Sequence, residues 1–256
     1  MKNILALAAL ACACVVHPLA LAQEEEPRLE AAPIDPRDLT SLQAGARTFV
    51  NYCLNCHSAS LMRYSKLEDI GLTEQEIKDN LLFTGEKIGD VMDVAMPRKE
   101  AKEWFGAAPP DLSVIGRSRS ADWLYTYLRG FYRDPSRPTG WNNVVYPNVA
   151  MPHVLWQLQG QQALEPAAKG AEEKGVAKKP ESEAEPAPAK LKLAVAGRLT
   201  PVEYDVVVRD LVNYLVWMSE PEARVRKRVG VVAVFFLGIL VVLTYALYKE
   251  FWKDVH

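Results

Sequence analysis

Apolar residues recur at helical spacing in two stretches. Leu42, Ala46, Phe49 and Val50 fall on one face of a helix predicted over 38–52. Tyr204, Val208, Leu211, Leu215 and Met218 form a second stripe, which runs up to Glu220-Pro221. Its start, Thr200-Pro201-Val202-Glu203, is a capping box with proline at the first helical position. Gly45 lies one turn before Phe49 and removes a side chain from the first stripe, so another helix can cross closely there; the segment from 200 onward is the natural partner. A shorter helix is predicted from Asp122 through Trp123 to Arg129, stopping at Gly130. The pattern is that of a mainly α chain.

Both ends carry continuous apolar runs. Residues 1–22 have the make-up of a secretory signal, with Lys2, an apolar stretch from Ile4 to Val16, and Ala20-Leu21-Ala22 before Gln23. Cys12 and Cys14 would leave with it; acylation of Cys12 is the alternative, with a poorly matching lipobox. Val229 to Leu247 holds no charge, and a helix of that length reaches roughly 28 Å, enough for a hydrocarbon core. Tyr245, Tyr248, Phe251 and Trp252 crowd its far end like an interfacial belt. The expected layout is a signal at 1–22, a periplasmic domain at 23–225, a span at 229–248 and a cytoplasmic tail at 249–256. Arg224, Arg226, Lys227 and Arg228 precede the span and only Lys249 and Lys253 follow it, a bias that alone favours the opposite orientation. A large exported domain overrides that bias. Residues 24–37 read as an acidic, proline-bearing lead-in. Residues 160–190 are mostly Ala, Glu, Lys, Pro and Gln, and read as a disordered insertion that cannot offset its ordering entropy by burial.

Net charge is −2, which gives no nucleic-acid footprint. Cys53-Leu54-Asn55-Cys56-His57 holds the only cysteines left after signal removal. C-x-x-C-H is the attachment signature of a c-type haem: the thiols add to the two vinyl groups and His57 is delivered to one axial face of the iron. A redox dithiol or half a zinc site is the competing reading, but no second C-x-x-C is present. Export and attachment agree, because c-type haem is attached outside an energy-coupling membrane.

An electron carrier fills the sixth position too, commonly with methionine. The chain after the signal offers Met62, Met92, Met96, Met151 and Met218, and Met62 is too close to His57 to reach the opposite face. Met218 ends a helix beside the membrane. Val94-Ala95-Met96-Pro97 and Val149-Ala150-Met151-Pro152 are left, each with an extended Met before Pro, and spacing does not separate them. His153 is a competing ligand two residues from Met151; a histidine so placed is more often on the surface or hydrogen-bonded to a neighbour of the ligand.

Taken in order, the signal, C-x-x-C-H, Pro109-Pro110-Asp111-Leu112-Ser113 followed by Arg117-Ser118-Arg119, then Tyr146-Pro147-Asn148-Val149-Ala150-Met151-Pro152, and Trp217-Met218-Ser219-Glu220-Pro221-Glu222 before one anchor, resemble the cytochrome c1 family, the haem c subunits of the bc1 complex. The resemblance implies Met151 as the ligand, Pro110 against the haem and Arg119 on a propionate, with Trp123 near an aromatic propionate partner at shorter local spacing. A buried propionate without a cation is costly, which gives the arginine a physical reason. Arg117 reads as a solvated side chain.

The expectation is therefore a class I cytochrome c-like haem domain with one C-terminal transmembrane helix and one covalent haem c. It would relay single electrons from a Rieske iron–sulfur protein to a soluble c-type cytochrome, beside cytochrome b, in a dimeric complex of the inner membrane. Alone it would not be a catalyst. An oxidase cytochrome subunit and a haem enzyme or gas sensor are the alternatives.

Overall fold

A computed structural model describes residues 28–94, 96–165 and 190–253. The predicted signal, most of the 160–190 insertion and the last three residues lie outside the described residues. Helix α1 (Leu39–Thr48) is capped by Asp38, whose carboxylate accepts from the Ser41 N–H. It runs directly into a wider π-helical turn, Phe49–Cys53, closed by the Leu54 N–H on the Phe49 carbonyl. The 38–52 helix is thus present, with its last turn widened where it delivers Cys53.

The long helix α7 (Pro201–Ser219) begins with the expected capping box: the Thr200 hydroxyl accepts from the Glu203 N–H, and the Glu203 carboxylate accepts from the Thr200 N–H. All five residues of its stripe are buried. Helices α1 and α7 cross at Gly45, where a Cβ would stand 2.1 Å from the Asp210 carbonyl oxygen and 2.6 Å from Tyr214 Cβ. Polar contacts pin the same crossing. The Ser41 hydroxyl donates to the Asp210 carboxylate at 2.7 Å, and the Asn213 amide donates to the Asp35 carbonyl and to Ser41 Oγ. Helices α4 (Ile115–Ser118) and α5 (Ala121–Arg129) pack on α7 as well. On α4 the Gly116 N–H donates to Ser219 Oγ at 2.8 Å. Ser120 caps α5, which ends before Gly130. The lead-in lies along α5, its Glu30 and Ala32 N–H groups bonding to Thr126 Oγ1 and Asp122 Oδ1.

Short helices α2 (Glu74–Asn80), α3 (Arg98–Phe105) and α6 (Trp156–Gln159) complete the domain, with three antiparallel two-stranded ribbons. These pair β1 (Ala59–Arg63) with β2 (Val91–Met92), β3 (Phe131–Arg133) with β4 (Trp141–Asn143), and β5 (Gly160–Leu164) with β6 (Leu191–Ala196). The last ribbon corrects the boundary of the insertion: residues 160–164 are a strand, not loose chain. Its inner side is polar, since Gln162 Nε2 donates to the Arg129 and Phe131 carbonyls, so no apolar alternation marks it. Residues 166–189 lie outside the described residues.

Helix α8 (Ala223–Phe251) has 29 residues, about 43 Å of helix. None of its apolar window is buried, and the uncharged run from Val229 to Tyr248 is an exposed apolar surface unsuited to water. Lys66 ties its start to the domain by donating to Glu222 at 3.1 Å and to Asp69 at 2.8 Å.

Candidate haem site

After the π turn, the Cys56 and His57 N–H groups both donate to the Cys53 carbonyl, so the motif is one tight turn. Burial, with a smaller contribution from Cys56, pushes the Cys53 thiol up to about 12, and burial raises Cys56 as well. A redox dithiol needs a lowered thiol pKa, the reverse of what this turn provides. Among the described residues no three His, Cys, Asp or Glu side chains form a metal-holding cluster. His57 Nδ1 lies 2.8 Å from the Pro110 carbonyl oxygen, an acceptor, so Nδ1 carries the proton and Nε2 keeps its lone pair. Burial lowers the His57 pKa, against the raising effects of Pro110 and Asp111, which favours the neutral ring a metal requires. The Pro110 carbonyl is itself held in place. Asp111 accepts from the Ser60 N–H and hydroxyl at 2.9 and 2.7 Å and from the Ser113 N–H at 2.8 Å, while the Leu112 N–H donates to the Ser58 carbonyl. The Pro-Pro-Asp-Leu-Ser block is thereby zipped along the strand that follows the motif.

Met151 sits half-buried on a different loop, with the Tyr127 hydroxyl donating to its Sδ at 3.4 Å. That loop is clamped from β4. Asn142 Oδ1 accepts from the Asn148 N–H at 2.8 Å, and Asn143 Oδ1 accepts from the Val145 and Tyr146 N–H groups. The Asn143 amide in turn donates to the Tyr127 carbonyl at 2.8 Å. Arg137 reaches both the side chain and the carbonyl of Asn148, which holds a left-handed φ of 62° just ahead of Val149-Ala150-Met151. Asparagine tolerates that region better than most residues. His153 is packed away, stacked on Phe131 at 4.8 Å and edge-on to Trp141, with burial pushing its pKa down to about 4. Met96 instead lines a groove with Cys56, Asp93, Pro109 and Asp111, beside the segment that holds His57. The exposed Arg119 guanidinium lies 4.8 Å above the Trp123 ring.

Two thiols one turn apart, an imidazole with Nε2 free, a thioether and an aromatic wall of Trp123, Tyr127 and Tyr146 fit a covalently attached haem. A profile of the Cytochrome C1 family matches residues 30–165 and 198–255. The chain belongs to that family. The matched residues hold the C-x-x-C-H turn, the Pro-Pro-Asp-Leu-Ser block, the Met151 loop and the anchor; the break, 166–197, takes in most of the insertion. The chain is 48% identical over 229 residues to cytochrome c1 of Allochromatium vinosum, covering 89% of this chain and 90% of that one. It is 47% identical over 256 residues to a protein named ammonia monooxygenase gamma subunit in Nitrosomonas europaea, covering 100% and 99%. With cytochrome c1 of Rhodospirillum rubrum the identity is 28% over 241 residues, covering 85% and 83%. Like other cytochrome c1 subunits, the chain carries one covalently attached haem c, and its function is electron transfer in the bc1 complex, respiratory complex III. As a cytochrome c1 with one apolar C-terminal helix it is anchored in the membrane.

Tyr127, Asn142, Asn143, Arg137 and Asn148 were not singled out from the sequence. A pair of asparagines after a tryptophan carries no motif, and only the positive φ at Asn148 has a local compositional cue.

Proposed function

We propose that Cys53 and Cys56 are the covalent anchors, that His57 Nε2 and Met151 Sδ are the two axial ligands, and that the haem domain faces the periplasm. When bound, the haem supplies a one-electron couple. The chain's own part is to hold its ligands rigidly, so that little reorganises as charge changes. The His57–Pro110 bond is the observation that carries this reading, since it orients the ring and leaves Nε2 for the metal. Met151 is favoured over Met96 because Met96 lies with Pro109 and Asp111 on the side that braces His57, whereas Met151 comes from a separately clamped loop. Pro110 orients the histidine, and Arg119, exposed above Trp123, is free to meet a propionate.

The partners are a Rieske iron–sulfur protein as donor, cytochrome b as neighbour in the bilayer, and a soluble c-type cytochrome as acceptor, in a dimeric complex. The monooxygenase name of the Nitrosomonas relative suggests oxygen chemistry instead, and that requires an open axial position. Carbon monoxide separates the two. The ferrous protein should bind it poorly at neutral pH, and Met151→Leu should bind it readily, lose the far-red sulfur–iron band of the oxidised form and fall in midpoint potential. Met96→Leu should leave all three unchanged; if it reproduces the Met151→Leu behaviour, the ligand assignment is wrong.

A further inference from the structure

Tyr127 joins the two halves of the Met151 side of the site. Its carbonyl accepts the Asn143 amide that braces the loop, and its hydroxyl reaches Met151 Sδ at 3.4 Å. Among the described residues that sulfur is the hydroxyl's only hydrogen-bond partner. The ring cannot swing elsewhere, being stacked on Trp123 at 4.7 Å and 11° and edge-on to Phe131 at 5.1 Å. A thioether has no proton to give, so the tyrosine is the donor.

We infer that Tyr127 is a positioning and tuning residue for the electron-transfer site: its hydroxyl holds one lone pair of Met151 Sδ and thereby sets the reduction potential. The inference rests on Met151 as the axial ligand. A thioether sulfur has two lone pairs, so it can accept this hydrogen bond and still donate to a metal. The hydrogen bond draws density from the sulfur and leaves it a poorer donor, which disfavours the oxidised state and raises the potential. Hydrogen bonding around the ligands is a recognised determinant of haem potential. The bond also selects which lone pair remains available, so that the loop offers a single sulfur orientation.

Tyr127→Phe in the full-length protein in detergent removes the hydroxyl and keeps the ring against Trp123 and Phe131. The far-red sulfur–iron band should persist, shifted in position, which shows an intact fold and ligation. The midpoint potential should fall, corresponding to a drop on the order of threefold in the equilibrium constant for reduction, the size of a weak hydrogen bond that differs between two states. An unchanged midpoint with the band retained would overturn the role of Tyr127 and leave the ligand assignment standing. Met151→Leu measured alongside separates the two claims, because a band that survives that substitution means that the ligand itself was misassigned. Should Tyr127→Phe abolish the band outright, 3-fluorotyrosine at position 127 decides the matter: its more acidic hydroxyl is a stronger donor, so a raised midpoint with the band retained supports the hydroxyl, and an unaltered midpoint refutes it.

Discussion

His57, Met151 and His153 show how far side-chain type alone carries. The histidine of C-x-x-C-H is fixed by a contiguous motif, and its ring is turned by one carbonyl 53 residues away in sequence. The choice between Met151 and Met96 was not legible from spacing, because both sit in the same Val-Ala-Met-Pro string. What distinguishes them is distant chain: Asn142, Asn143 and Arg137 around one, Pro109 and Asp111 around the other. His153, two residues from Met151, is a packing residue between Phe131 and Trp141. His153→Ala should cost about 2–4 kcal/mol of stability by opening a cavity. The sulfur–iron band should nonetheless remain at native intensity. Denaturant unfolding followed by spectroscopy reads both, and a wild type that lacks the band, with its haem spectrum altered by His153→Ala at no loss of stability, would make His153 the ligand.

Helix patterning was legible because it is local. The Thr200–Glu203 capping box, the α7 stripe and the small residue at Gly45 all stand in the sequence and in the structure. Strand β5 was not legible, since Gln162 donates its amide to the Arg129 and Phe131 carbonyls and Gln161 accepts from the Arg133 guanidinium, in place of apolar side chains turned to a core. At the α1–α7 crossing, Gly45→Ala should lower stability by about 1–3 kcal/mol or more, because the Cβ meets backbone that cannot yield. Gly89→Ala, with nothing within 4 Å of its added Cβ, should change stability by no more than about 0.5 kcal/mol. Thermal unfolding of the pair makes the comparison. The capping box predicts a pH effect. Hydrogen bonds from the Thr200 N–H and hydroxyl hold the Glu203 carboxyl below its ordinary range. Its contribution is therefore present above the unfolded value of about 4.3 and lost as pH falls through the folded one. The difference in melting temperature between the wild type and Glu203→Ala should shrink steadily below about pH 4.3. A difference that stays constant to pH 2 would show that the carboxylate's charge plays no part.

The whole chain divides its work between a haem domain and a bare helix. The domain is held by the α1–α7 crossing and by two separately braced segments, one carrying Pro110 beside His57 and one carrying Met151. The 29-residue helix α8 is exposed along its apolar length, and among the described residues ion pairs tie its start to the domain near Glu220–Glu222, where Arg226 bonds Glu220 and Lys66 bonds Glu222. Such a molecule suits one-electron relay at a membrane surface, with the surrounding subunits supplying quinol chemistry. The deciding measurement is a reduced-minus-oxidised spectrum of the protein isolated from native membranes in mild detergent, recorded while quinol is added. Co-purifying b-type haem, with haem c reduced by quinol and the reduction blocked by a quinol-site inhibitor, is the predicted result. Haem c alone, or haem c accompanied by oxidase-type haems and insensitive to that inhibitor, would contradict the relay from a Rieske donor.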